Sequence, residues 1–366
     1  MAAPPGVTVA DHERPGAGPG RRLDSVRGRE PADEDTRVVG VDVGGSGIRV
    51  ALAPGGWPTD LTRARTVEVA AAARVSSSAA GQDADALLGR LLPALTELMT
   101  GVPSGARIGA VAVGATGMAL LGRDLAERLP GPLARATGTE RLVLAGDAIA
   151  AHVGALGTGA GVTVAGGTGL VAIGYRAETG WRRTDGWGHL LGDCGSGSWL
   201  GRAGLEAALR AYDGRTGGSP ALLTAAERRY GPATGLPAAL QPHPDRAALL
   251  AAFSPDVATT AEEGCPVAGA LVRRAGEEIA ASAAAAARAA GLPAPRLALT
   301  GGLFRLEPLR RATLDALTVG LPAARLREPD GPPLLGALRL AAAAAAAGDL
   351  PWPLDPPLLD LLHRPA

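Results

Sequence analysis

The stretch Gly186-Trp187-Gly188-His189-Leu190-Leu191-Gly192-Asp193-Cys194-Gly195-Ser196-Gly197-Ser198 decides how the rest of the chain is read. It holds five glycines, one acid and two hydroxyls, and its apolar residues follow no regular period. Glycine at this density lets backbone approach a ligand closely and turns N–H groups towards oxygens or phosphates. A helical run from Trp199 to Tyr212 follows, so the stretch aims a helix N-terminus at an anion. Taken alone it is equally well a glycine-rich surface loop. Further glycine turns on both sides of it argue for a ligand site.

The first lies upstream. Val38-Val39-Gly40-Val41-Asp42-Val43 reads as a short apolar strand with one acid, Gly44-Gly45-Ser46-Gly47 turns, and Ile48 to Ala53 returns as a strand. A glycine turn with a hydroxyl and an acid just before it suits a phosphate-and-magnesium site, with Asp42 holding the metal directly or through water. An ordinary glycine-turn hairpin has the same local pattern. It is not a dinucleotide fingerprint, because a strand follows the turn where that fold needs a helix. Val162 to Ala165, Gly166-Gly167-Thr168-Gly169 and Leu170 to Tyr175 repeat the same build, which suggests a duplicated fold with two facing phosphate turns. A third turn, Gly301-Gly302-Leu303-Phe304, follows the strand Arg296 to Thr300.

Between these turns, Asp83 to Met99 has helical spacing of leucines, Ile108 to Val113 is a buried strand, and one helix leads to the strand Arg141 to Leu144. That strand ends in Ala145-Gly146-Asp147 and a helix Ala148 to Val153. An acid there stands where α/β ligand sites form, though a plain helix cap explains it locally as well. Residues 213–245 are expected to be an insertion or loop, Ala261 to Ala290 one long helix, a helix follows from Pro308, and Pro333 to Ala347 is the closing helix. Residues 1–36 lack periodicity and are read as a disordered extension, and Trp352 with Leu354 to Leu362 as a tail packed on the surface or on a partner.

Composition narrows the classes. The chain has 366 residues, 46% hydrophobic and 3% aromatic, with a formal net charge of zero. That length suggests two domains or one two-lobed unit, and the charge balance argues against nucleic acid or an anionic membrane as partner. The chain contains no lysine, which excludes a P-loop and Schiff-base chemistry. Two cysteines, Cys194 and Cys265, make neither a disulfide framework nor an all-cysteine metal site, so a reduced, cytoplasmic protein is the expectation. No segment reads as a secretory signal or membrane span.

In this order the motifs Val41-Asp42-Val43-Gly44-Gly45-Ser46, Gly146-Asp147-Ala148, Gly167-Thr168-Gly169, Gly186 to Asp193 and Gly301-Gly302-Leu303-Phe304 resemble the ATPase superfamily of actin, sugar kinases and heat-shock chaperones. Within it they look most like the BadF/BadG/BcrA/BcrD-type ATPases, which include N-acetylglucosamine kinases. The resemblance implies an α/β protein of two ribonuclease-H-like domains with the active site in the cleft between them. The domains would span 37–146, completed by helix 333–348, and 147–332, with a tail over 349–366. It implies ATP and Mg²⁺ as cofactors. Gly44, Gly45, Ser46 and Gly47, Gly167, Thr168 and Gly169, and Gly301 with Gly302 would hold the nucleotide, and Asp42 the metal. Asp147 would be the catalytic base and a sugar contact, and Gly186, Trp187, Gly188 and Asp193 would bind the sugar. The implied reaction is γ-phosphoryl transfer to the 6-hydroxyl of an amino sugar, N-acetylglucosamine first. The alternatives are an ATPase activator of a radical dehydratase or reductase, disfavoured by the cysteine positions, and a catalytically silent sugar- or nucleotide-binding regulator. Dimerisation, common in the family, is a further implication. The chain departs from the family where Cys194 replaces a glutamate and Leu170 a serine. Asparagine is absent, and Ser76 to Ser78 lie near the place where a sugar-binding asparagine is expected.

Overall fold

The computed structural model describes residues 35–44, 47–70, 84–243 and 245–363. Its elements are β1 (Thr36–Gly44), β2 (Gly47–Pro54), β3 (Arg65–Ala70), α1 (Ala84–Met99), β4 (Arg107–Ala115), α2 (Met118–Arg128), α3 (Pro130–Thr137), β5 (Arg141–Gly146) and α4 (Asp147–Leu156). There follow β6 (Gly161–Gly166), β7 (Leu170–Arg176), β8 (Gly180–Asp185), α5 (Gly197–Tyr212), α6 (Pro220–Tyr230), α7 (Leu236–Leu240), α8 (Arg246–Ala252), α9 (Ser254–Glu262) and α10 (Pro266–Ala289). The chain closes with β9 (Arg296–Thr300), α11 (Glu307–Gly320), β10 (Arg325–Leu326), α12 (Pro333–Ala347) and β11 (Leu359–His363).

The strands make two sheets, in the orders β11-β5-β4-β1-β2-β3 and β10-β9-β6-β7-β8. Each is nucleated by an antiparallel hairpin, β1 with β2 and β6 with β7, flanked by a parallel neighbour, β4 or β9. Side chains alternate between faces along a strand, and β1 uses both. Val39, Val41 and Val43 enter a core with leucines of α1, α2 and α3, while Val38 belongs to a second core with α4 and α12. Asp42 shares the period of Val38, which turns it towards the α4 side. β7 divides in the same way: Leu170 and Ala172 pack with α5 and α10, and Ile173 and Tyr175 join the α4–α12 core. The helices α4 and α12 therefore fill one apolar layer shared by both sheets, and the strand ends of both sheets converge beside it.

Several sequence expectations change. The stretch 213–245 carries α6, started by Ser219, whose side chain accepts from Leu222 N–H, and by Pro220 in the first turn; Ser-Pro is a helix start. The expected helix Ala261 to Ala290 is interrupted by a Glu263-Gly264-Cys265 turn, and α10 opens on Pro266, which needs no N–H partner there. Two helices, α2 and α3, stand where one was expected, broken at Pro130. The tail is no appendage: Trp352 is buried and β11 pairs antiparallel with β5. The edge strands β3 and β8 went unread because their alternating polar residues mask a short apolar period. Of the extension expected over 1–36, residues 1–34 lie outside the described residues, while Thr36 already belongs to β1 and is buried. Among the described residues no helix is long and apolar enough to cross a membrane.

Candidate functional site

Three acids singled out in the sequence stand at element ends that the two sheets bring together. Asp42 lies near the end of β1, opposite Arg49 of β2 and Gly114 of β4. Its carboxylate is 5% exposed, and burial pushes it up to about 6, against the pull of the Arg49 guanidinium 3.8 Å away. Asp147 opens α4 where β5 ends; Gly146 is the cap position, and Asp147 Oδ1 accepts the Ala148 N–H at 2.8 Å. Burial raises its carboxyl, opposed by the Ala148 N–H, a hydrogen bond from Thr116 and the charge of Arg183. Asp193 is 9% exposed and is likewise pushed up to about 6 by burial, opposed by N–H bonds from Gly188 and Leu170. The charge of Asp147 raises both Asp42 and Asp193, so the three carboxylates share one electrostatic neighbourhood. Desolvated acids that raise one another are characteristic of chemical sites.

The loop between β8 and α5 is built around a clasp that the sequence reading missed. Asp185, at φ 60°, accepts Asp193 N–H through Oδ1 at 2.7 Å and Cys194 N–H through Oδ2 at 2.8 Å. These bonds close residues 186–192 into a loop whose tip exposes Trp187, Leu190 and Leu191. Asp193, at φ 54°, then turns its Oδ1 back to Gly188 N–H at 3.1 Å. Ser196 caps α5 by accepting Trp199 N–H at 3.2 Å and contacts the Ser198 hydroxyl at 3.0 Å. The legible signal was Thr184-Asp185-Gly186, an acid before glycine at a strand end.

The second glycine turn sits against this loop. Gly197 and Ser198 donate N–H bonds to the carbonyls of Gly167 and Thr168 at 2.9 and 3.0 Å. A Cβ on Gly169 would lie 2.6 Å from Asp193 Oδ2, so a side chain there would push the carboxylate from its place. The third turn follows β9, parallel neighbour of β6. Gly301 has φ 103°, and a Cβ on it would stand 2.1 Å from the Gly166 carbonyl; Gly302 begins the short helical turn that leads to α11. The structure thus brings Gly167, Thr168, Gly169, Asp193, Gly301 and Gly302 to one side of the site, with Asp42, Gly44, Gly47 and Asp147 at the strand ends of the other sheet. Gly186 and Gly188 flank Trp187 at the loop. Gly45, Ser46 and Ser76 to Ser78 lie outside the described residues.

The donor set suits a hard cation: oxygen ligands only, with Asp42 desolvated and its Arg49 partner 3.8 Å away. Among the described residues no three His, Cys, Asp or Glu groups form a cage, so an ion here would rely on phosphate oxygens and water, the usual habit of Mg²⁺.

Solved structures similar to this chain include two inferred sugar kinases. Over 83% of this chain and 98% of its own, the structure of an inferred N-acetylglucosamine kinase from Chromobacterium violaceum superposes with TM-score 0.65 and 29% identity. Its counterpart from Porphyromonas gingivalis gives TM-score 0.64 over 83% of this chain and 97% of its own, at 19% identity. The N-acetylmuramic acid/N-acetylglucosamine kinase of Clostridium acetobutylicum is 36% identical over 75 residues, 20% of this chain and 24% of that protein. This chain therefore spans about a quarter of that curated relative (24%) in the match. The sequence pattern of the BadF/BadG/BcrA/BcrD ATPase family matches residues 39–341. Because that match runs from β1 into α12 and takes in each glycine turn and acid described above, the chain belongs to the BadF/BadG/BcrA/BcrD ATPase family.

Proposed function

We propose that this protein is an ATP-dependent sugar kinase that transfers the γ-phosphoryl group to the 6-hydroxyl of an amino sugar, N-acetylglucosamine first. The observation that carries the reading is the shared neighbourhood of Asp42, Asp147 and Asp193 beside the glycine turns. Phosphoryl transfer asks for positioning and charge neutralisation more than covalent chemistry, and these groups supply both. Gly167, Thr168, Gly169, Gly301 and Gly302 present backbone to the phosphates, with Gly44, Gly45, Ser46 and Gly47 facing them from the first hairpin. Asp42 holds Mg²⁺, which when bound neutralises charge on the phosphate oxygens. Gly186, Trp187, Gly188 and Asp193 orient the sugar. Asp147 accepts the hydroxyl proton as the sugar oxygen bonds to the γ-phosphorus and the bridging oxygen leaves with ADP; its raised carboxyl makes it a better proton acceptor than a solvated aspartate. We read residues 37–146 with helix 333–348 as one domain and 147–332 as the other, closing over the sugar to exclude water. The sugars after which the similar kinases are named, N-acetylglucosamine and N-acetylmuramic acid, set the panel.

The test is coupled ADP release with Mg-ATP over N-acetylglucosamine, glucosamine, glucose, N-acetylmuramic acid and no sugar. Sugar-dependent release is expected, and Asp147→Asn is expected to lower kcat by roughly 10²–10⁴-fold, the usual worth of a positioned base. Release independent of every sugar removes the reading.

A further inference from the structure

Transfer to a neutral sugar uses Arg183 only for the charge it exerts on Asp147. Its guanidinium lies 4.5 Å over the Trp187 ring. Among the described residues no hydrogen bond or ion pair holds it. The other half-buried and buried arginines near the site are committed: Arg49 faces Asp42 at 3.8 Å, and Arg339 donates to four carbonyls and Asp330. A guanidinium over an aromatic ring with no hydrogen-bonded partner has N–H groups to offer, in the fork geometry that grips a carboxylate through two parallel N–H bonds.

Placement says which anion it meets. Arg183 pairs with Ile173 across β7 and β8, as Trp181 pairs with Tyr175. These partners face the α4 layer, so Arg183 faces the start of α4, where Asp147 stands, and its charge reaches that carboxyl. From β8 its guanidinium reaches Trp187 of the 186–192 loop, and not the Gly167–Gly169 or Gly301–Gly302 turns. Three carboxylates make this neighbourhood anionic, so an acidic acceptor is repelled unless a cation receives it. We propose that Arg183, carried on Trp187, is the receiving group for a carboxylate on the acceptor, and that the site thereby takes acidic amino sugars such as N-acetylmuramic acid. This rests on the amino-sugar kinase reading above.

The experiment is calorimetric binding of N-acetylmuramic acid and of N-acetylglucosamine to the full chain, wild type and Arg183→Gln, with Mg-ATP affinity measured beside them. The ratio of the two sugar affinities cancels any general effect of the substitution. It is expected to move against N-acetylmuramic acid by roughly tenfold or more, the worth of a charge-assisted hydrogen-bonded pair. Arg183→Lys, which keeps the charge and loses the fork, is expected to fall between. An unchanged ratio overturns the proposal, and an unchanged ratio with weakened Mg-ATP binding assigns the cation to phosphate instead. Wild-type binding of N-acetylglucosamine alone also overturns it while leaving the kinase reading intact. Binding of neither sugar brings down both.

Discussion

At the scale of single residues, Asp185 shows how a site acid is held by a residue that need not touch substrate. Its two oxygens each take one backbone N–H, from Asp193 and Cys194, and so fix where the Asp193 carboxylate points. Asp185→Ala leaves both N–H groups unpaired inside a half-buried loop, at about 1–3 kcal/mol for each group left so. The expected kinetic signature is a raised KM for the sugar with the KM for Mg-ATP little changed, measured by steady-state ADP release; a parallel rise in both would show general loosening instead. Asp185→Asn adds an electrostatic readout. The charge of Asp185 is one of the causes that raise Asp193, so removing it is expected to lower the Asp193 carboxyl from about 6, as followed by carboxyl carbon NMR. The acid itself was visible in the sequence, but its left-handed backbone and its partners eight and nine residues on are set by the loop's closure and leave no periodic trace.

At the scale of elements, the hairpins, the strand that leads to Asp147 and α12 were legible because each has a clean apolar run bounded by glycine or proline. The breaks were not. Ser219-Pro220 and Cys265-Pro266 are helix starts embedded in polar or alanine-rich surroundings, where tertiary burial of Leu222, Ala225 and Ala226 decides the outcome. β11 was missed for a related reason: its worth lies in pairing with β5, a partner far back in the chain. The helix α4 depends on a long-range partner of the same kind. It carries Asp147 at one end and is gripped at the other by Arg339 of α12, whose Nη1 donates to Val153 O at 3.0 Å and Gly154 O at 3.1 Å. The same guanidinium reaches Pro58 O at 3.0 Å and Asp330 Oδ2 at 3.0 Å, and it is 3% exposed. Arg339→Met leaves these buried carbonyls without a donor while the half-exposed Asp330 turns to water, so unfolding free energy is expected to fall by about 1–3 kcal/mol, the cost of buried acceptors left unpaired. Denaturant melts check it; a loss under about 1 kcal/mol, the scale of an exposed pair, would mean that water replaces the clamp.

At the scale of the whole molecule, the two sheets are joined through a core in which His152 is buried, where burial favours the neutral ring. The ring lies in α4, fully buried, with Nδ1 at 3.1 Å from the Thr163 hydroxyl and Nε2 at 3.2 Å from the Gly159 carbonyl. Tyr175 and Trp181 of the second sheet pack edge-on against it at 5.6 and 5.4 Å. Burial, with the charge of Arg296 adding to it, pushes its pKa down from 6.5 to about 4. The unfolded chain therefore binds this proton more readily than the folded one. The stability this group contributes is present above pH 6.5 and is lost as pH falls towards 4. The loss is roughly 3 kcal/mol, because a tenfold change in proton affinity between the folded and unfolded chain is worth about 1.4 kcal/mol. Asp42 and Asp193 act in the opposite sense, since their folded values near 6 exceed the ordinary aspartate value of 3.8: the stability they withhold above pH 6 returns as pH falls. The raw pH profile of the protein mixes both signs, so the difference between wild type and His152→Gln isolates the joint. That difference in unfolding free energy, measured by urea titration at pH 7 and at pH 4, is expected to shrink by roughly 3 kcal/mol on acidification. A difference that holds constant would mean that the imidazole is solvated enough to take its proton in the folded state, and that the layer between the sheets admits water where α4 meets β7 and β8.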